Sequence, residues 1–383
     1  MTHSFAEAEL ARCARDLSVV SPLPVSEGAS ALQLCRRALD APKGSGGLHS
    51  DAAGAKRIAV IVSDASRDEP RDALLGAVLE RLPRERVVLV IATGTHATDD
   101  TTVIPQAYRD LPVVVHDARD ADRHVDLGTT ARGTRVRIDR AVAEADLVIA
   151  TGRVRPHYFA GLSGGVKSVF PGCALAEDAL QNHLLKAHPS ARLGRVDGNV
   201  CRFDMEEAAA RLPGQLRILN VLCDVDGGAM DAAFGDATLA HRALAATAAR
   251  VFTVVAPRSR LIVVADRPPV THTLYQASKL IPPAAALLEP GGVVVVVADC
   301  AGGTGPLQRV NRGIYELGLV PQLPADHSIW LVSQLPDEIA RSTYARPFHR
   351  LEDALREAAS LRSDGPIPAL WRAGECIARP VSA

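Results

Sequence analysis

Two α/β domains built on mostly parallel sheets, with the active site in the cleft between them, are the architecture this sequence predicts. Three observations carry it. Short apolar runs alternate with helical patterns over most of the chain. Polar or glycine-rich turns follow the carboxyl ends of several runs, where open α/β sheets collect their ligands. At 383 residues and 47% hydrophobic content, the chain has material for two cores rather than one.

Residues 1–56 hold one predicted helix, around Ala31 to Leu39, and a loop rich in Gly, Ser and Ala; little function is expected there. From Arg57 the character changes. RIAVIVSD is an apolar run with a polar end, a helical pattern spans Arg71 to Leu82, and RVVLVIA leads into TGTH. Strand, helix, strand is the repeating unit of a parallel sheet, so Ser63–Arg67 (SDASR) and Ala92–His96 (ATGTH) should share one ligand-binding edge. PVVVH, RVRID and ADLVIAT extend the strand series, and the last delivers a third strand end to the same place. DMEEAAARL predicts a helix, LRILNVLCDVDGG a strand and turn, and RVFTVVA and LIVVAD strands near residue 260. Past Pro268 and Pro269 the alternation resumes with a helix from about Leu274, the run GGVVVVVAD, the turn AGGTG, a helix near Asn311 and the strand SIWLVS. The predicted division is a catalytic and cofactor-binding domain over 1–258, a second α/β domain over 259–368, and a tail at 369–383 returning to the first.

The 43 basic and 44 acidic side chains nearly cancel, which removes the electrostatic footprint of a nucleic-acid or membrane-surface binder. The amino-terminal stretch lacks the apolar centre of a signal peptide, and no run approaches the roughly eighteen apolar residues of a membrane span. A cytoplasmic protein acting on a small molecule is expected, with self-association left open. Seven scattered cysteines without a CxxC pair read as reduced, mostly buried thiols rather than disulfides or a metal cluster.

Residues 153–183 concentrate the chemistry. His157, the glycine-serine turn Gly161, Ser163, Gly164 and Gly165, then Lys167 and His183, fall within one short stretch. Successive amides in such a turn can cradle a phosphate. Gly161 to Ser168 nearly spells a nucleotide-triphosphate loop, but Val166 stands where that motif needs glycine, and no strong apolar strand runs into Gly161. Two histidines at strand-end turns, His96 and His157, suit acid-base chemistry near neutrality.

The segment PHYFAGLSGGVK (Pro156–Lys167) resembles the signature of the nickel-dependent lactate racemase family. SDASR, ATGTH, GNVCRFDMEEAA (Gly198–Ala209), FGDATLAH (Phe234–His241) and YQASK (Tyr275–Lys279) resemble further family motifs, in family order. The resemblance implies racemisation or epimerisation of a 2-hydroxy acid, with His96 and His157 as the acid-base pair on opposite faces of a planar keto intermediate. It implies a nickel-pincer nucleotide (nickel-pyridinium-3,5-bisthiocarboxylic acid mononucleotide) attached at Lys167, with His183 completing the planar four-coordinate nickel. Proteins that assemble this cofactor would then be partners. Asp64 and Ser66, with Ser163, Gly164 and Gly165, are expected at the cofactor's ribose or phosphate, and Arg67, Tyr275, Gln276 and Lys279 at the substrate carboxylate. The chain departs from the family in Ser66, in Asp68 and Glu69 before Pro70, and in ATDD after TGTH, so lactate and larger polyhydroxy acids both remain open. Two other readings stand beside this one: a zinc hydrolase using His96, His157 and His183, and a carrier of the nickel cofactor without turnover.

Overall fold

The computed structural model describes the chain apart from residues 1–3, 23, 25–28, 96–99, 306–311, 314, 363, 382 and 383. The described residues fall into two compact units, Pro24–Lys186 with Arg195–Arg250, and Met1–Leu23 with Ala187–Gly194 and Val251–Ala383.

The sheet of the first of these runs in the order Ala229–Asp236, Gln215–Cys223, Leu147–Val154, Ile58–Ser63, Val87–Ala92, Val113–Val115. Ala229–Asp236 pairs antiparallel and the other neighbours pair parallel. Its central strands are apolar runs because helices or loops cover both faces; every residue of Leu147–Val154 is buried. Parallel pairing puts the ends of Ile58–Ser63, Val87–Ala92, Leu147–Val154 and Gln215–Cys223 on one edge. Asp64, Thr93, Arg155 and Asp224, each just past a strand, therefore lie along that edge.

The second sheet is wholly parallel among the described strands: Leu17–Val20, Ile367–Trp371, Ser259–Ala265, Leu288–Val297, Ser328–Val332, Arg346–Phe348. The valine run at 293–297 alternates between two cores. Val293, Val295 and Val297 pack with Trp330 and Leu351 on one face, Val294 and Val296 with Leu280 and Leu331 on the other.

Several expectations need correction. The amino-terminal residues belong with the carboxy-terminal unit, because Leu17–Val20 pairs with Ile367–Trp371 and Phe5–Arg12 packs beside Leu351–Glu357. The tail stays in that unit as well, since Ile377–Pro380 pairs with Thr253–Ala256. Arg250, Val251 and Phe252 end the helix Ala237–Phe252, which moves the division to residue 251 instead of 258. RVRID joins no main sheet: Arg135–Asp139 forms an antiparallel hairpin with His124–Thr129. Its alternating exposure marks a strand with one wet face. The helix expected near Asn311 lies outside the described residues at that position.

Candidate active site

The chain enters the 153–183 segment from the buried strand Leu147–Val154, makes a two-residue hairpin pairing Pro156–His157 with Gly161–Leu162, and then turns once as a 3-10 helix at Gly165–Ser168. Gly161 and Gly164 have φ of 76° and 73°, where a Cβ is strained. A Cβ on Gly161 would also run into the Arg195 carbonyl, and one on Gly164 would sit 2.7 Å from Asn220 Oδ1. Only glycine fits such crowded left-handed positions. The single 3-10 turn after the loop is unlike the long helix whose amino end receives phosphate in a nucleotide-triphosphate loop.

Phe159 is the hub of this segment. Its buried ring meets the His157 ring edge-on at 4.5 Å and the His183 ring edge-on at 5.0 Å, and Lys167 Nζ stands 5.4 Å from its centroid. Three of the predicted residues thus converge on one aromatic side chain. The Lys167 ammonium also takes part in lowering the His183 pKa, second to burial; together they bring it to about 4. His183 is therefore neutral across the physiological range. Its Nδ1 donates to the Ala179 carbonyl at 2.5 Å, one turn back along Ala176–Leu184. That bond fixes the tautomer and leaves the Nε2 lone pair for a ligand, the arrangement expected of a metal-binding imidazole. His157 Nδ1 accepts the Ala160 N–H at 3.3 Å, so its transferable proton is on Nε2.

The turn after Val87–Ala92 is tied to the same segment. Gly94 N–H donates to Gly172 O at 2.9 Å, and Thr93 Oγ1 bonds the ring and carbonyl of buried His116 at 2.8 and 2.9 Å. His96 itself lies outside the described residues.

At the end of Ile58–Ser63, buried Asp64 closes a tight turn by accepting the Ser66 N–H at 3.0 Å and its hydroxyl at 2.5 Å. Arg67 is exposed beside it. Of the two unexpected carboxylates, Glu69 is turned inward onto Ser63 N and Oγ at 3.2 and 3.1 Å, with Arg71 Nε at 3.5 Å. Burial raises its pKa, more than the nearby Arg71 lowers it. Asp68 pairs with Arg153 at 3.2 Å, which offsets that charge. In the other unit, Thr273 caps Leu274–Ala277, and the next turn holds Lys279 Nζ 2.6 Å from Gln276 Oε1 and 5.7 Å from the Tyr275 ring. Tyr275, Gln276 and Lys279 form one group.

Two expectations about the loop change. Gly165 N–H donates to Asn220 Oδ1 at 2.5 Å, so it is not an open phosphate donor. Ser163 Oγ is spent within the loop, accepting from Arg155 N and donating to Arg153 O, both at 2.9 Å. Residues the sequence reading passed over are Phe159, Asn199, Arg202, Asn220 and His241, all within 2% of full burial. A polar side chain between apolar ones, as in VCRF and ILNVL, was the available signal.

Among the described residues, no three His, Cys, Asp or Glu side chains gather as a metal cluster. A cavity of about 550 Å³ opens at the opposite sheet edge, around Arg57, Arg86 and Arg140, and contains none of the predicted site residues.

The family model for the lactate racemase N-terminal domain matches residues 7–194. The lactate racemase of Thermoanaerobacterium thermosaccharolyticum is 31% identical over 317 residues, covering 80% of this chain and 73% of that protein. The chain belongs to the lactate racemase family. As a family member it is an isomerase of the racemase class. The lactate racemase of Lactiplantibacillus plantarum is 31% identical over 281 residues, 70% of this chain and 66% of that one. The apoprotein structure of the Thermoanaerobacterium racemase superposes with a TM-score of 0.82 at 27% identity, over 91% of this chain and 93% of the other. A Thermotoga maritima protein shares the fold alone, with a TM-score of 0.66 at 15% identity over 93% and 100% of the two chains. No described helix of this racemase-family chain is long and apolar enough to cross a membrane.

Proposed function

We propose that this chain racemises or epimerises a 2-hydroxy acid, with a nickel-pincer nucleotide held at Lys167 and His183. The observation that carries the reading is the convergence of Lys167, His183 and His157 on Phe159, with His183 neutral and its Nε2 unengaged. These residues fit the cofactor: an amine for attachment and one imidazole nitrogen for nickel stand on the same ring, and no further protein ligand is required. When bound, the cofactor supplies a hydride acceptor comparable to a nicotinamide ring.

The rest falls to the chain's own side chains. His157 exchanges a proton with the substrate oxygen on one face, and His96 does the same on the other. Carboxylate binding falls to Arg67 and to the Lys279 ammonium, which Gln276 and Tyr275 already orient. Asp64 and Ser66 bind the nucleotide's ribose or phosphate, with the Gly164 amide as the loop's contribution. Seven buried thiols agree with a reducing, cytoplasmic setting, where the proteins that assemble the cofactor are the natural partners.

Intact mass and nickel content test this on protein made in a host that carries the assembly enzymes. A mononucleotide-sized adduct mapping to Lys167 with stoichiometric nickel, abolished by Lys167→Ala, is expected, together with turnover of a chiral 2-hydroxy acid. A bare chain, in a host that loads a control racemase, would overturn the reading.

A further inference from the structure

Four carbonyls between Phe159 and Gly164 are captured by three buried side chains from distant parts of the sequence. Asn199 Nδ2 donates to Phe159 O at 2.8 Å, Arg202 to Leu162 O and, at 3.2 Å, to Gly164 O, and His241 Nε2 to Ser163 O at 2.9 Å. A fourth, Asn220, receives the Gly165 N–H. The Gly164–Gly165 peptide is thus gripped at both ends, oxygen by Arg202 and nitrogen by Asn220. So is the Leu162–Ser163 peptide, whose N–H donates to Arg155 O at 2.8 Å. In the intervening Ser163–Gly164 peptide the oxygen is held by His241, and the Gly164 N–H is the one amide of the three with no partner among the described residues.

All four gripping side chains are fully buried, where an unmade hydrogen bond is expensive, so each is committed to its contact. For His241 the tautomer follows: Nε2 faces a carbonyl and must carry the proton, while Nδ1 has no partner. Burial, with the Arg202 charge behind it, lowers its pKa and agrees with a neutral ring. Arg202 is a guanidinium whose contacts are peptide oxygens, so the loop's negative ends are all turned into the protein. The motifs GNVCRFDMEEAA and FGDATLAH, to which no chemistry was assigned, supply Asn199, Arg202 and His241.

We propose that Arg202, Asn220 and His241 are positioning residues that lock the glycine loop in the conformation presenting Lys167 for cofactor attachment. The inference rests on the cofactor reading for its last step and on the loop geometry alone for its first. The test compares His241→Gln, whose amide nitrogen can replace Nε2, with His241→Leu, which keeps volume and loses the donor. Hydrogen exchange on the apoprotein reads the first step: peptides over 159–170 should exchange at least tenfold faster in His241→Leu, with Ile58–Ser63 unchanged and His241→Gln close to wild type. Loading in the assembly host reads the second: the Lys167 adduct should fall at least tenfold in His241→Leu and persist in His241→Gln.

Unchanged loop exchange in His241→Leu, or equal effects of the two substitutions, would overturn the lock. A loosened loop that still loads fully would overturn its role in presenting Lys167. A wild-type chain that takes no adduct would instead count against the cofactor, leaving the exchange comparison to decide the lock. If His241→Leu fails to fold, Asn220→Asp against Asn220→Leu repeats the contrast at the acceptor for Gly165 N–H.

Discussion

His183 and His116 are both imidazoles that burial keeps uncharged, with pKa values brought down to about 4 and about 3. For His116 the neighbouring His124, Nε2 to Nε2 at 3.2 Å, adds to the effect. The folded chain binds fewer protons than the unfolded one at these sites, so their contribution to stability is complete above pH 6.5. It is lost as pH falls from there toward the folded values. Glu69 and Asp139, which burial raises from their ordinary values, act in the opposite sense, so a single-site comparison is needed. His116→Gln should flatten the dependence of the unfolding free energy, measured in urea, on pH between 6.5 and 4 by about 1.4 kcal/mol per pH unit. A slope equal to wild type would show that His116 does not titrate on unfolding. Lys167 could be singled out from the compact motif PHYFAGLSGGVK, and His183 from its place downstream of it. Arg202, Asn220 and His241 were not, because what gives them meaning is a hydrogen bond to a peptide 38, 55 or 78 residues away.

The elements that could be read were the buried strands, whose continuous apolar runs need no partner to be recognised, and the helix Ala31–Asp40, whose Ser30 and Gln33 form a capping box. The hairpin Pro156–Leu162 was not, since two residues per strand carry no periodicity. Its shape depends on Gly161 lying against Arg195 O. Gly161→Ala combines a forbidden φ with a backbone collision and should cost roughly 3 kcal/mol or more. Chemical denaturation measures it, and a loss below about 1 kcal/mol would mean that the 195–196 backbone yields easily. Gly133 and Gly227 also have positive φ, but a Cβ there meets nothing, so alanine at either should cost less.

The alternation of strands and helices along the molecule announced two α/β units with parallel sheets, but it gave no sign that the smaller unit is discontinuous. Sheet order is a long-range property, and Leu17–Val20 is too short and too half-buried to reveal its neighbour. Leu10 and Leu17 help fill the face lined by Val263, Val295 and Leu355, and Glu9 accepts the Leu351 N–H at 2.8 Å. Deleting residues 1–22 should therefore cost that unit about 4 kcal/mol from the two leucines alone. The measurement is hydrogen exchange: Ser259–Ala265 and Ile367–Trp371 should accelerate while Ile58–Ser63 and Leu147–Val154 do not. Equal protection in the shortened chain would show the amino-terminal strand to be dispensable.

The same pairing has a bearing on how the chain is made. Leu17–Val20 leaves the ribosome about 350 residues before Ile367–Trp371, so at roughly 5–20 residues per second the earlier strand waits tens of seconds for its mate. The glycine-loop unit has all of its strands translated by residue 236 and can be finished during synthesis. The other unit can close only once Ile367–Trp371 has emerged, and until then its opening strand is an unpaired edge open to misassembly.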